Sequence, residues 1–149
     1  MRLAVTASAD LAVTRAVVLR FAGAAGLDRR AAAELALVAS ELASNMLKYA
    51  GMGEIELCEC DREVMVEARD RGPGPPSEAE LFADGISRGA VRLPDQSITT
   101  GRGTGGGTIR RLCDAVEILA RPGGGTVIRC HKRKPCPRSV RSTAKIAPR

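Results

Sequence analysis

The chain is predicted to fold as an α+β two-layer sandwich, with a mixed, mostly antiparallel sheet and its helices on one face. Three observations predict this. Two long stretches, about 11–25 and 29–49, carry apolar residues at helical spacing. Two pairs of shorter stretches alternate at strand spacing, each pair joined by a tight turn. The order is β-α-α-β-β-lid-α-β-β, so strand pairs close as hairpins with helices packed against them.

Leu3–Val5 opens a strand. Asp10 is placed to cap a helix over about 11–25, with Leu11, Val18 and Phe21 inward and Gly26 ending it. Asp28 is placed to cap a second helix over 29–49. There Leu35, Val38, Leu42, Asn45 and Tyr49 follow a 3-4-3-4 spacing and lie on one stripe. The stripe is apolar except at Asn45, and Glu41 borders it. Gly51 and Gly53 end that helix. Residues 54–60 and 64–69 alternate as a hairpin around Asp61-Arg62. From Gly72 to Gly107 the composition turns to Gly, Pro, Ser, Thr and charge, with one helical turn or two expected at Ser77–Phe82. A loop of this length in a compact domain is a lid, a binding loop or disordered. A short helix over 108–113 starts at the glycines, and strands over 116–120 and 126–130 pair around the Pro122–Gly125 turn.

The 149 residues suit one domain, divided as 1–131 and a basic tail over 132–149. The net charge of +6 belongs to that tail, which holds seven basic residues and no acidic one. Without those seven, 16 basic residues face 17 acidic ones, so residues 1–131 carry about −1. The tail has too little apolar content to pack and is expected to be disordered. With no Trp and only Phe21, Tyr49 and Phe82 as aromatics, a stacking platform for single-stranded nucleic acid is excluded, which argues against a nucleic-acid partner. Apolar runs stay short of the ~18 residues that span a bilayer, and no signal peptide opens the chain, so no membrane partner and a cytoplasmic location are expected. Five scattered cysteines fit reduced thiols better than a disulfide framework.

Three short stretches carry the chemistry. Glu41 and Asn45 are four residues apart and share a helix face. A carboxylate there can take a proton from a hydroxyl or water, and an amide carbonyl can complete a Mg²⁺ shell of phosphate and water. Taken singly, Glu41 is a solvated glutamate and Asn45 a core amide bonded to backbone. Asp70 ends a strand before Gly72-Pro73-Gly74, where it can accept a hydrogen bond from an exocyclic amine; taken singly, it is an Asp/Gly/Pro turn. Gly101, Gly103, Gly105, Gly106 and Gly107, with Arg102 and Thr104 between them, run into a helix and offer bare N–H groups to phosphate. Taken singly, they are a flexible linker. No Gly-Lys-Ser/Thr follows, so this is not a Walker loop, and it sits too late for a dinucleotide fingerprint. Together the three stretches supply what a nucleotide–Mg²⁺ site needs.

In order and spacing these stretches resemble the N, G1 and G2 boxes of the GHKL ATPases. Ser40-Glu41-Leu42-Ala43-Ser44-Asn45 through Tyr49-Ala50 is similar to the small anti-sigma-factor serine kinases of the RsbT/RsbW type. Asp70–Gly74, Phe82–Gly85 and Arg110–Asp114 are similar to the RsbT branch in particular. The resemblance implies a Bergerat ATP-binding fold with ATP and Mg²⁺ as cofactors. It implies Glu41 as general base, Asn45 as Mg²⁺ ligand and Asp70 as adenine anchor. Gly72 and Gly74 shape the base pocket in that scheme, while Gly101, Arg102, Gly103, Thr104, Gly105 and Gly106 form the phosphate loop. Thr104 and Gly106 stand where relatives carry larger apolar residues, and 88–100 is longer than the usual RsbT lid.

The implied function is an ATP-dependent protein-serine/threonine kinase of a bacterial partner-switching cascade. Its implied substrate is a STAS-domain antagonist, and a sigma factor or a serine phosphatase is the other partner. A homodimer is compatible with the resemblance. The alternative is a non-catalytic or weakly active anti-sigma binding protein that keeps the ATP fold.

Overall fold

The computed structural model describes residues 1–74, 86–87, 90–91 and 105–135, with backbone alone for 86–87, 90–91 and 105–106. Among these, β1 (Arg2–Val5), α1 (Ala9–Ala24) and α2 (Arg29–Ala50) come first. Then follow β2 (Gly53–Glu59), β3 (Glu63–Asp70), and the two short strands β4 (Ile86–Ser87) and β5 (Ala90–Val91). The described chain closes with α3 (Gly105–Leu112), β6 (Ala115–Ala120) and β7 (Thr126–Arg133). The helical turn expected at 77–82, the segment 88–100 as a lid and the tail over 136–149 fall outside the described residues, apart from β5.

The five-stranded sheet has the order β1-β2-β3-β7-β6, and every neighbouring pair is antiparallel. All three helices share one layer. Register explains the core. Leu3, Ile55, Ala68, Ile128 and Ile118 stand in one cross-strand row, and Leu57, Val66, Cys130 and Val116 in the next. Both rows face the helices and meet Val18, Leu35, Val38, Leu42 and Ile109, all fully buried or nearly so. Alternate residues turn to the other face. There Arg2, Glu56, Glu67, Arg129 and Glu117 form a charged row across all five strands.

Glu67 is 3% exposed on that outer face. It stands opposite Glu56, a like-charge pairing that is destabilising alone. Two guanidinium groups resolve it. Arg69 bonds Glu67 through Nε and Glu56 through Nη2 at 2.7 Å, and Arg129 Nε reaches Glu67 at 2.6 Å.

Helix α2 matches expectation at its start: Asp28 accepts from the N–H of Ala31 at 2.8 Å. Helix α1 differs. It begins at Ala9, with Ser8 at the cap and no side-chain cap bond. Asp10 lies inside the first turn and reaches back to the N–H groups of Thr6 and Ala7 at 2.8 and 2.9 Å. Those bonds hold its carboxyl below the usual range, Thr6 contributing most. The buried stripe is Thr14, Val18 and Ala22, while Leu11 and Phe21 are only half-buried. The helix is apolar around most of its circumference, so its pattern does not define which side faces inward.

Strand β7 runs three residues past the expected end at 130. Ion pairs explain the extension. Lys132 Nζ lies 2.7 Å from Glu34 Oε2 and 2.7 Å from the carbonyl of Leu112. Lys134 Nζ meets Glu59 at 2.7 Å. The first three basic residues counted with the tail, Lys132–Lys134, are therefore built into the sheet layer.

Candidate functional site

Helix α2 presents Glu41 and Asn45 on one face, both half-buried. Their neighbours Leu42, Ala43 and Met46 are buried and fix the helix against the sheet. Among the described residues, neither the Glu41 nor the Asn45 side chain makes a hydrogen bond. Asn45 is thus not a core amide bonded to backbone. It breaks an apolar stripe and keeps its donor and acceptor free, at a cost that a ligand would offset.

Asp70 ends β3 in a different setting. Its Oδ1 accepts from the N–H of Gly72 at 2.8 Å and of Thr126 at 3.2 Å. Its carbonyl accepts from Arg121 Nη1 at 2.9 Å. Both bonds that the described residues make to the carboxylate go to Oδ1, so Oδ2 is the acceptor left for a ligand. The turn between β6 and β7 therefore grips Asp70 from one side.

Two glycines permit this close approach. At Gly72, a Cβ would stand 3.0 Å from the Cβ of Ala50 and 3.2 Å from Asp70 Oδ1. The strand end thus lies directly against the C-terminal end of α2. At Gly125 (φ +102°), a Cβ would meet the Asp70 carbonyl oxygen and come within 2.9 Å of Arg71 Cα. Gly74 has φ +110° and open space around it.

Gly105, Gly106 and Gly107 form the first turn of α3, and Ile109 anchors that helix in the core with no exposure. Helix α3 packs on α2. Lys132 joins its last residue, Leu112, to Glu34. The eight-residue helix is about 12 Å long, so its glycine end is the one turned away from Glu34. Glu41 and Asn45 lie about 10 and 16 Å farther along α2 than Glu34. The structure therefore joins Asp70 and Gly72 to the end of α2, and joins α3 to its flank. Gly101, Arg102, Gly103 and Thr104 lie outside the described residues.

Sequence reasoning missed Thr126, Gly125, Arg121, Glu34 and Lys132. For the first three, the only signal was a turn with glycines before a strand. For the Glu34–Lys132 pair there was none, because the partners are 98 residues apart.

The model of the histidine kinase-like ATPase domain matches residues 5–132, and the chain belongs to that family. Domains of this family bind ATP, typically with Mg²⁺. Among solved structures, a mycobacterial sensor histidine kinase, MprB, is similar with a TM-score of 0.54 and 15% identity; the match covers 91% of this chain and 100% of that one. The nucleotide-free catalytic domain of histidine kinase ThkA gives 0.53 and 15%, covering 90% and 98%. At these identities the likeness is one of fold. No curated protein is significantly similar to the chain. No helix among the described residues is long and apolar enough to cross a membrane.

The residues present fit the family's cofactors. An amide side chain unpaired among the described residues suits a hard cation, an open carboxylate oxygen suits a base edge, and Gly72 lets the Asp70 strand end sit against the end of α2.

Proposed function

We propose that the domain is an ATP-dependent protein-serine/threonine kinase whose substrate is a STAS-domain antagonist in a partner-switching cascade. The observation that carries this reading is the pair Glu41 and Asn45. They share one face of α2, half-buried and with side chains that make no hydrogen bond among the described residues, inside a Ser40–Asn45 stretch similar to the anti-sigma serine kinases.

When bound, ATP supplies a transferable phosphoryl group and Mg²⁺ screens its charge. Asn45 would hold the cation through its side-chain oxygen. Asp70 would accept the exocyclic amine of adenine at Oδ2, while the Gly72 and Thr126 N–H groups keep Oδ1 in place. The N–H groups at the start of α3, with Gly101, Arg102, Gly103 and Thr104, would face the phosphates. Glu41 would take the proton of the substrate hydroxyl as it attacks. The sigma factor or serine phosphatase that alternates with the antagonist binds in the same cascade.

One observation favours the second reading, a binding protein with weak or no turnover. The first turn of α3 is three consecutive glycines, each about 1 kcal/mol worse than Ala in a helix, which loosens the phosphate end.

The test is label transfer from radiolabelled ATP to a purified STAS-domain protein with Mg²⁺. The expected product is an acid-stable phosphoester. Asn45→Ala abolishes transfer, and Glu41→Ala slows it about 10²–10⁴-fold while leaving ATP affinity nearly unchanged. Stable complex formation without transfer supports the binding protein. Wild-type turnover in both variants, or an acid-labile phosphohistidine product, refutes the kinase reading.

A further inference from the structure

The end of β3 is held by a side chain to which the nucleotide reading gives no role. The ladder between β3 and β7 stops at the pair Arg69 and Val127, so the next residue, Asp70, has no strand partner on that side. Its acceptors are met in other ways. The N–H of Thr126, a buried residue, goes to the carboxylate Oδ1 at 3.2 Å. The Asp70 carbonyl accepts from Nη1 of Arg121 at 2.9 Å, 51 residues along the chain. Arg121 is itself fixed at both backbone groups. Its N–H donates to the carbonyl of Gly125 at 3.2 Å, and its carbonyl accepts from Gly124 at 3.1 Å. Among the described residues Arg121 forms no ion pair, with the Asp70 carboxylate or any other.

We propose that Arg121 is a positioning residue that sets the base selectivity of the site: it holds the Asp70 main chain so that Oδ2 is the acceptor turned to the purine, which admits a 6-amino base and refuses a 6-oxo one. This rests on the nucleotide reading above. An ionised carboxylate only accepts hydrogen bonds. Oδ2 therefore suits the amine at C6 of adenine and repels the C6 oxygen of hypoxanthine or guanine. The exclusion lasts only while the carboxylate stays in place. An Asp70 free to shift reaches the N1–H of a 6-oxo purine, which is a donor, and the distinction is lost. The N–H groups of Gly72 and Thr126 restrain the side chain through Oδ1. They do not fix the main chain that carries it. Arg121 does, through a charge-assisted hydrogen bond, the stronger kind.

Holding the carbonyl rather than the carboxylate is what makes this useful. A guanidinium forked onto the carboxylate would occupy the oxygen that the base needs. Bound to the carbonyl, it fixes the residue and leaves Oδ2 open. The turn is shaped for this contact: a Cβ at Gly125 would fall on the same carbonyl oxygen, so glycine there lets the turn bring Arg121 and Thr126 to Asp70.

The test is calorimetric titration of the full chain with Mg²⁺ and either ATP or inosine triphosphate. Wild type is expected to prefer ATP by about 10–100-fold, the worth of one hydrogen bond to a charged group. Arg121→Met keeps the apolar stem and removes every donor. Its preference should fall to about threefold or less, with affinity for inosine triphosphate unchanged or higher. Arg121→Lys keeps a cationic donor and should recover a preference of about tenfold. Equal wild-type affinities for the two nucleotides overturn the selectivity. So does an Arg121→Met variant that keeps the wild-type ratio or loses affinity for both nucleotides alike. A lysine variant no better than the methionine one assigns the loss to packing and overturns the hydrogen-bond role. Amide exchange in the nucleotide-free protein gives a second readout. Exchange at Gly72 and Thr126 should quicken about tenfold in Arg121→Met, and unchanged rates overturn the hold on Asp70. If wild type binds neither nucleotide, the nucleotide reading fails, and the exchange rates still judge whether Arg121 holds Asp70.

Discussion

Gly123 and Gly125 share one turn and one backbone problem, and they separate strain from collision. Both have positive φ, +84° and +102°. An alanine at either is strained by about 1–3 kcal/mol. Restricting the unfolded chain returns about 0.4–1 kcal/mol. A Cβ at Gly123 meets nothing within 4 Å, so Gly123→Ala should cost about 1 kcal/mol. A Cβ at Gly125 runs into the Asp70 carbonyl oxygen and stands 2.9 Å from Arg71 Cα and 3.0 Å from the Asp70 carbonyl carbon. These are backbone atoms, so no side-chain rotation relieves them. Overpacking adds about 1–3 kcal/mol, bringing Gly125→Ala to about 2–4 kcal/mol. With a urea slope of about 2 kcal/mol/M, the midpoint should fall by about 0.5 M for Gly123→Ala and about 1–2 M for Gly125→Ala. Circular dichroism across a urea series measures both. Equal midpoints for the two variants would show that the turn is not seated on Asp70, and would remove the physical basis for the position of that carboxylate.

Lys132, most strongly, and Arg30 hold the Glu34 carboxyl below the ordinary glutamate value of 4.5. Its contribution is therefore complete above that value and lost as pH falls through the lower folded one. Glu34→Gln should cost about 1–3 kcal/mol at neutral pH, with the gap to wild type shrinking as pH drops below 4.5; a constant gap counts against the ion pair. Asp28→Ala removes the bond to Ala31 and should lower stability by about 1 kcal/mol in the same urea assay, and an unchanged midpoint would count against that cap. Asp70→Asn keeps an oxygen for Gly72 and Thr126 but replaces Oδ2 with a donor. It should weaken ATP binding about tenfold or more by calorimetry while shifting the urea midpoint little, and wild-type affinity would dismiss Asp70 as the base anchor.

Much of the fold could be read from local pattern. The alternation in 54–60 and 64–69 became β2 and β3, and the Asp28 cap and the 3-4-3-4 stripe became α2. These succeed because a strand or helix shows its buried face in a period of two or 3.6 residues. The rotational setting of α1 was not legible, since apolar residues on nearly every side leave the inward face to be chosen by what α2 and the sheet offer. The end of β7 was also illegible. Lys132 reads as a solvated lysine until Glu34 and the Leu112 carbonyl come within hydrogen-bond reach of it. Glu67 sits on an alternating strand as an ordinary surface residue, and only the register that brings Arg69 and Arg129 to it explains its burial.

By itself the sequence determined the kinds of groups available: a carboxylate and an amide one helical turn apart, an aspartate at a strand end, and glycines with bare N–H groups. It also determined the alternating and helical patterns that build two layers, because those depend on residues close together in the chain. Tertiary structure alone decided which distant groups meet. The turn at 121–126 closes on Asp70, and Lys132 ties α3 to α2. Each of these contacts arises from strand register and helix packing, which no local window of residues encodes.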